Sequence, residues 1–358
     1  MLMELSNKVT DIYSQRRGDP KFKRFVGAIL CGGYGKRLRP LTESTPKSLI
    51  EIKNGYTILE RQMFQLKYVG ISKVYLLAGY LHEKIKERYG ENYNGLKIEY
   101  LIEDKPRGTL YAINNLLDVL DEDQVAVIMN GDIVTDANIS EMLNQWVEDT
   151  VSMLVTPLIS PYGIVELEAD HRITSFVEKP KLPYYINGGI YIVPKTLERH
   201  FKEFKEGDVE RLVFPRLARE GLLRYYKEDE AYWCSVDSLK DLGNVQKEYE
   251  NRTDKPWGYE KVIVCTEHYL TKMLYIMKGY RTSLHMHKEK DETLHVIRGE
   301  GIVVLEGKHI RVKSGDIVRI RPKTQHLIYA IENMTIYEYS TPNLSDVIRI
   351  EDPYRRDD

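Results

Sequence analysis

Apolar and polar positions follow two different patterns along the chain. Between residues 25 and 155, short apolar runs alternate with segments whose apolar residues recur at helical spacing. The apolar runs predict strands at Val26–Cys31, Val74–Ala78, Ile98–Ile102, Val125–Met129 and Val151–Val155. The segments between them predict helices at Leu59–Val69, Glu83–Tyr89, Thr109–Leu120 and Ile139–Glu148. Strands and helices that alternate through short connections predict βαβ units and a mostly parallel, Rossmann-like sheet of the α/β class.

The pattern changes after residue 250. Residues 251–256, NRTDKP, are polar, and beyond them short strands alternate with glycine turns while helical spacing is absent. This predicts an antiparallel, all-β sandwich or barrel. We therefore predict an α/β domain over residues 25–250 and a β domain over residues 251–358.

Residues 1–24 form an extension ahead of the first predicted strand. Its apolar residues recur at helical spacing, at Leu2, Leu5, Val9 and Ile12. This spacing predicts a short amphipathic helix that packs on this chain or on a partner.

The composition narrows the classes of function. The 358 residues include 52 Lys and Arg against 54 Asp and Glu, so the overall charge does not favour nucleic acid or a membrane as partner. No stretch approaches the roughly 18 apolar residues of a membrane-spanning helix. Cys31, Cys234 and Cys265 are far apart and odd in number, which is typical of reduced thiols in a cytoplasmic protein.

The segment Ile29–Lys47, ILCGGYGKRLRPLTESTPK, follows the first predicted strand. Its glycines allow a sharp turn and a close approach of backbone N–H groups to a ligand, and its cations favour a polyanion such as a phosphate chain. These residues are Gly32, Gly33, Gly35, Lys36, Arg37, Arg39 and Lys47. An ordinary βα turn with solvated cations would explain a bare GGxG equally well.

The complete string GGxGxRLxPLTxxxPK is far more specific. It resembles the signature of the sugar-1-phosphate nucleotidyltransferases, which make nucleotide sugars, although Lys36 stands where a Thr is usual. The resemblance implies that the three glycines bind a nucleoside triphosphate. It also implies that Arg37 and Lys47 are catalytic cations.

Two aspartates follow apolar runs and are candidate Mg²⁺ ligands. Asp132 ends VIMNGD at the carboxyl end of a predicted strand, and Mg²⁺ prefers one or two carboxylates together with phosphate oxygens and water. Asp237 ends WCSVD, where the resemblance implies a second ligand of the same ion. The alternative roles are a turn residue for Asp132 and a helix N-cap for Asp237.

The junction EDKPRGTLYAI carries the predicted base-recognition residues. The resemblance implies that Gly108 approaches the nucleotide base and that Glu103 reads it. A carboxylate only accepts hydrogen bonds. Glu103 therefore matches the paired N1–H and N2–H₂ donors of guanine better than uracil or thymine.

Three later strings, PYGIVE, FVEKP and NGGIYIV, occur in the order of the sugar-binding half of this family. The resemblance implies that Glu178 accepts hydrogen bonds from sugar hydroxyls and that Lys179 holds the sugar phosphate. Gly163 and Asn187 would line the same pocket. Without this ordered series, Glu178 and Lys179 would be interpreted as a solvated pair of surface charges.

The β domain carries a second candidate site. GYRTSLHMHKEKDETLHVIRG resembles the first cupin motif, and GDIVRIRPKTQH resembles the second, although a usual glycine near the proline is missing. His285 and His287 share one face of a strand, and Glu292 and His326 would complete a four-ligand site for Zn²⁺, Mn²⁺ or Fe²⁺. A pair of surface histidines is the alternative.

The string KPWGYE resembles the start of the cupin in bifunctional mannose-1-phosphate guanylyltransferase/mannose-6-phosphate isomerases. Those isomerases usually have Gln at the position of His285 and Arg at that of Lys290, which argues against isomerase activity. A cupin that binds a sugar phosphate, or that mainly builds a dimer, is also consistent with the sequence, and we expect a homo-oligomer.

The resemblance as a whole implies a cytoplasmic enzyme that makes GDP-mannose from GTP and mannose 1-phosphate. Two alternatives stay open. One is a UTP- or dTTP-dependent enzyme for glucose 1-phosphate or a related sugar, and the other is a non-catalytic subunit that senses nucleotide sugars. The presence of Arg37, Lys47, Asp132 and Asp237 argues against the second.

Overall fold

The computed structural model describes residues 12–343 and 346–354. Most of the helix predicted near the N-terminus therefore lies outside the described residues. The described part is helical over Ile12–Gly18, α1. Arg16 of α1 is buried and donates to Ser140 Oγ at 2.9 Å, so α1 packs against this chain.

The first domain is built on an eight-stranded sheet with the order β13-β9-β12-β7-β1-β4-β6-β5. Strand β1 is parallel to both of its neighbours, β4 and β7. The strands of this domain are β1 Phe25–Cys31, β2 Glu51–Lys53, β3 Tyr56–Thr57, β4 Lys73–Ala78, β5 Asn92–Tyr93, β6 Leu96–Ile102, β7 Val125–Asn130, β8 Ile133–Thr135, β9 Val151–Ile159, β10 Ile164–Leu167, β11 Ile173–Val177, β12 Lys181–Pro194, β13 Leu223–Lys227 and β14 Trp233–Ser235.

Helices cover both faces of this sheet. They are α2 Ile58–Tyr68, α3 His82–Tyr89, α4 Thr109–Val119, α5 Ile139–Gln145, α6 Glu198–Lys202, α7 Val209–Leu212, α8 Phe214–Arg219 and α9 Leu239–Glu248. Alternate residues of β1 enter two cores, with Ile29 packed on the side of α2 and Ala28 on the side of α4. A strand that is apolar on both faces needs this double cover, which is why its sequence is a continuous apolar run.

The predicted α/β architecture is confirmed, and every strand and helix predicted between residues 25 and 155 is present. Strand β9 runs to Ile159, four residues beyond its predicted end, and α5 ends at Gln145 rather than at Glu148. Trp146 leaves the helix in an extended conformation, and its indole N–H donates to Thr150 O at 2.8 Å. A polar contact of the side chain therefore ends the helix earlier than its apolar spacing predicts.

The second domain consists of two antiparallel sheets, ordered β15-β16-β17-β24-β19-β22 and β21-β20-β23-β18-β25. Its strands are β15 Arg252–Lys255, β16 Gly258–Cys265, β17 Leu270–Ile276, β18 Leu284–His287, β19 Glu292–Arg298, β20 Glu300–Leu305, β21 Lys308–Lys313, β22 Ile317–Ile320, β23 His326–Ala330, β24 Met334–Ser340 and β25 Val347–Glu351. Apolar residues of both sheets form its core, so the predicted sandwich is confirmed.

The two domains are in direct contact. Tyr280 of the second domain shares a hydrogen bond with Ser140 of α5 and donates to Tyr68 O at 3.2 Å. Tyr13 of α1 packs between Tyr68 and Tyr354, at 5.7 and 5.6 Å between ring centroids. Among the described residues, no helix is both long and apolar enough to cross a membrane.

Candidate functional site

The glycine loop follows β1 at the carboxyl edge of the sheet, where open α/β sheets bind ligands. Gly35 has a φ of 60°, a left-handed conformation that favours glycine. The Thr42 hydroxyl donates to Gly35 O at 2.8 Å and closes the loop. A Cβ on Gly32 would lie 2.6 Å from Glu103 Oε1, so a larger residue at this position would have to displace the carboxyl group.

A cleft of about 380 Å³ opens at this loop. It brings together all of the predicted nucleotide-binding and catalytic residues, which lie far apart in the chain. They are Gly32, Gly33, Gly35, Arg37, Lys47, Glu103, Gly108, Asp132 and Asp237. Lys36, the departure from the family signature, also lines the cleft, and its ammonium lies 5.4 Å from the ring centroid of Tyr34.

Lys47 lies at the centre of the charged groups. Its Nζ donates to Asp132 Oδ2 at 2.7 Å and to Asp237 Oδ1 at 2.8 Å. Arg37 Nη2 donates to the same oxygen of Asp237 at 2.7 Å, and its side chain is 74% exposed. Burial alone would raise the pKa of Asp237, but the hydrogen bond and charge of Lys47 bring this pKa below its ordinary value.

The two carboxylates are therefore both within hydrogen-bond distance of one cation. A pair of carboxylates that converge on one positive charge fits the ligand set of Mg²⁺. Asp237 is not the N-cap of α9. Its neighbour Ser238 has that role and forms a capping box with Asp241. Asp237 is thus left with its side chain directed at Lys47.

Glu103 has a polar group to offer a ligand. Its Oε2 is buried and has no hydrogen-bond partner among the described residues. Burial raises the pKa of this carboxyl group, and a hydrogen bond to the backbone of Arg107 opposes the rise. Cys31 lines the same cleft, and burial followed by the charge of Glu103 raises the pKa of its thiol to about 12.

Gly108 begins α4 with a φ of 96°. A Cβ at this position would lie 2.2 Å from Gly207 O, and Leu110 N donates to the same oxygen at 2.9 Å. The absence of a side chain at Gly108 therefore has a structural reason, the close passage of the Gly207 loop, besides the predicted approach of a base.

The predicted sugar-binding residues lie outside the lining of this cleft. Gly163 and Glu178 meet at the base of the β10–β11 hairpin, where a Cβ on Gly163 would lie 3.0 Å from Glu178 Oε2. Lys179 is half exposed, 3.6 Å from Glu178. Asn187 lies apart on β12 and donates to the Tyr191 hydroxyl at 2.7 Å. Their role in sugar binding stays a prediction.

Asn130 was not predicted from the sequence. It lines the cleft two residues before Asp132, and its Oδ1 is buried without a hydrogen-bond partner among the described residues. Its side chain contacts the Tyr191 hydroxyl, the partner of Asn187. The Asn-Gly-Asp string was the available signal, but a sequence does not tell which of its polar residues faces a ligand.

The second domain brings His285, His287 and His326 together, with candidate ligand atoms within 4.8 Å of one another. All three Nδ1 atoms face backbone carbonyls, at Ser283 (2.9 Å), Asp346 (2.6 Å) and Thr324 (3.0 Å). A carbonyl only accepts, so each Nδ1 donates, and in a neutral ring this leaves a lone pair on Nε2. Burial lowers the pKa of His285 to about 3, which keeps its ring neutral.

Glu292 faces two of these histidines. Its oxygens lie 3.1 Å from His287 Nε2 and 3.4 Å from His326 Nε2. Acceptors this close need a proton or a cation between them, so the group fits a metal ion. Lys290 also pairs with Glu292 and with Glu338. A cavity of about 190 Å³ opens beside these side chains.

Comparison with known proteins agrees with both halves of the structure. The nucleotidyl transferase family model matches residues 26–252, more than half of the chain, and the chain belongs to this family. A cupin domain model matches residues 273–336. The C-terminal domain is thus a cupin fused to a nucleotidyl transferase domain.

Individual curated relatives share about a third of their residues with this chain over the matched region. The mannose-1-phosphate guanylyltransferase catalytic subunit beta of Dictyostelium discoideum is 32% identical over 224 residues, which are 60% of this chain and 61% of that protein. The bifunctional protein GlmU of Methanococcus maripaludis (strain C5) is 30% identical over 262 residues, 70% of this chain and 56% of that protein. The chain thus spans about three fifths of the length of these relatives.

A solved structure from Bacillus anthracis, provisionally named a glucose-1-phosphate thymidylyltransferase, superposes with a TM-score of 0.51. The match covers 63% of this chain and 94% of that one at 24% identity. A likeness at this level shows a shared fold and does not indicate which substrate this chain uses.

Proposed function

We propose that the first domain transfers a nucleotidyl group from a nucleoside triphosphate to a sugar 1-phosphate and releases pyrophosphate. The observation that carries the proposal is the convergence of Arg37, Lys47, Asp132 and Asp237 beside a glycine loop. Two cations and a carboxylate pair in one cleft suit a reaction between two phosphate groups, whose charges must be neutralised before they approach.

In the proposed reaction, a phosphate oxygen of the sugar 1-phosphate attacks the α-phosphorus of the triphosphate. The new P–O bond forms as the bond to pyrophosphate breaks, and no covalent enzyme intermediate is needed. Arg37 is exposed enough to bind the triphosphate, Lys47 neutralises the α-phosphate, and Lys179 holds the attacking phosphate. Mg²⁺ bound by Asp132 and Asp237 would supply further neutralisation of the phosphate oxygens.

We propose GTP and mannose 1-phosphate as the substrates and GDP-mannose as the product. The two oxygens of Glu103 match the adjacent donors of guanine, and the unpartnered Oε2 supports this reading. The name of the Dictyostelium relative points in the same direction. A UTP- or dTTP-dependent enzyme would need a donor as well as an acceptor at this position.

The test is a panel of GTP, UTP and dTTP against mannose 1-phosphate and glucose 1-phosphate, with pyrophosphate as the readout. We expect the highest turnover for GTP with mannose 1-phosphate, and its loss in Asp132→Asn. The matched control is Asp104→Asn, an exposed carboxylate outside the lining of the cleft. Normal pyrophosphate release by a folded Asp132→Asn variant would refute the assignment.

We also propose that the cupin binds a divalent metal ion through His285, His287 and His326, with Glu292 beside them. The lone pairs left on the three Nε2 atoms support this proposal. Metal analysis of the purified protein, with His287→Ala as comparison, tests it. Isomerase activity is tested separately with mannose 6-phosphate and added Zn²⁺, Mn²⁺ or Fe²⁺, and no fructose 6-phosphate with any of these metals would exclude it.

A further inference from the structure

The two candidate metal carboxylates are carried at one end of a short ribbon. Strands β8 and β14 pair antiparallel, with Val134 opposite Cys234. At the cleft end, Val236 N donates to Asp132 O at 2.9 Å. At the far end, Asp136 N donates to Tyr232 O at 2.9 Å. Asp132 and Asp237 are therefore linked to each other through this ribbon, whose far end lies about 13 Å away at roughly 3.3 Å per residue.

A buried ionic cluster fixes the far end. It consists of Arg61, Asp136, Arg252 and Asp254, and none of these side chains is more than 6% exposed. Arg252 holds Asp136 through both terminal nitrogens, at 2.9 and 2.5 Å. Arg61 donates to Asp136 at 2.9 Å and also to the backbone O of Thr135 in β8 at 3.1 Å. The two arginines therefore hold the far end of the ribbon through the Asp136 side chain and through the Thr135 backbone.

Each domain contributes one cation and one anion to this cluster. Arg61 and Asp136 belong to the transferase domain, while Arg252 and Asp254 belong to β15, the first strand of the cupin. The ion pairs cross between domains, because Arg252 binds Asp136 and Arg61 Nε lies 3.0 Å from Asp254 Oδ2. Each domain's pair is neutral by itself, but the two hydrogen bonds of Arg252 to Asp136 form only where the domains meet. Removing one member of the cluster leaves a buried charge without its partner, which is strongly destabilising.

The same cluster also holds the helix that follows Asp237. Helix α9 leads to Tyr249, whose hydroxyl accepts from Arg61 Nε at 2.7 Å. The guanidinium of Arg252 stacks over the rings of Tyr249 and Tyr259, at 4.4 and 3.7 Å from their centroids. Arg252 therefore contacts the residues that follow both segments carrying the cleft carboxylates: Asp136 after β8, and Tyr249 after β14 and α9.

We infer that Arg252, supplied by the cupin strand, is a positioning residue for Asp132 and Asp237 in the transferase site. Arg252 lies outside the lining of the cleft. It acts by holding the β8–β14 ribbon in one position, which fixes the separation of the two carboxylates. The cupin is by this inference a structural part of the transferase site. The inference rests on the proposed transferase function only for its effect on turnover.

The test is the double variant Arg252→Met/Asp254→Asn in the full-length chain. It changes only the cupin and leaves Arg61 and Asp136 as a neutral pair, which avoids the unpaired buried charge of the single variants. We expect faster amide hydrogen exchange in residues 133–135 and 233–236. The Mg²⁺ concentration for half-maximal pyrophosphate release should rise about tenfold, the size typical of lost support around a metal ligand.

The matched control is Tyr280→Phe, which removes buried hydrogen bonds between the domains without touching the ribbon. We expect it to lower the melting temperature while leaving both ribbon readouts unchanged, and Arg252→Lys to recover part of the Mg²⁺ response. Unchanged exchange in the double variant, or an equal effect of Tyr280→Phe, would overturn the inference. Failure of the wild-type protein to release pyrophosphate would refute the proposed function, and amide exchange would still decide the role of Arg252.

Discussion

Replacing Glu103 by Gln should change the preference of the enzyme between guanine and uracil nucleotides. In the wild-type cleft, Glu103 presents an unpartnered, buried oxygen and no donor. A Gln at this position presents one oxygen and one NH₂ group. Against guanine, that NH₂ group would face another donor, whereas uracil offers an acceptor for it.

The magnitude follows from the burial of Glu103 Oε2. A buried polar group that loses its hydrogen-bond partner costs about 1–3 kcal/mol. At about 1.4 kcal/mol per factor of ten, kcat/KM for GTP should fall roughly 5- to 150-fold. Because burial raises the pKa of Glu103, the uncharged Gln should fold at least as stably as the wild type.

The assay is kcat/KM for GTP and UTP at one fixed sugar 1-phosphate, measured by pyrophosphate release. Asp104→Asn is the control, because Asp104 is the adjacent carboxylate but is 81% exposed. The wild-type preference should also weaken at low pH, since protonation of Glu103 adds a donor, and the raised pKa brings this change to a higher pH than for an ordinary glutamate. An unchanged ratio of the two kcat/KM values in Glu103→Gln would refute base recognition by this residue.

Three further substitutions test the transferase site and the cupin site independently of each other. Lys47→Met should lower kcat by about 10²- to 10³-fold, the usual loss for one group that stabilises a transition-state charge, and a kcat within threefold of the wild type would contradict its role. His326→Ala should lower the metal content of the cupin while leaving pyrophosphate release unchanged, as measured by elemental analysis and the transferase assay on one sample. Lys290→Met leaves Glu292 and Glu338 without their shared cation, so the cupin should lose about 3–5 kcal/mol of unfolding free energy; an unchanged urea midpoint would show that the cation is dispensable.

The sequence predicted the parts of the fold that depend on local pattern. The apolar run that became β1 is buried on both faces, and β4 and β7 lie parallel beside it. Asp132 and Asp237 were predicted to share a site although 105 positions separate them, and Lys47 does contact both. This prediction depended on the resemblance to a family, because the spacing of the two aspartates in the sequence does not predict that they lie close together.

The ionic cluster shows what the pattern could not reveal. Arg252 lies in the polar stretch 251–256, which marks a change of domain in the sequence, yet its side chain is 0% exposed. Charged residues normally indicate solvent exposure, and the burial of Arg252 depends on its carboxylate partners Asp136, Asp254 and Glu248. A single sequence does not identify such partners, since the pairing depends on how two domains meet.

The burial of the cysteines has a practical consequence for solution studies. Burial raises the pKa of the Cys31 thiol to about 12 and that of the Cys234 thiol to about 11. Cys265, at the end of β16, is exposed. Because thiol reagents attack the thiolate, a maleimide dye should label the natural chain at Cys265 alone, which provides a single fluorescent reporter on the cupin without any substitution.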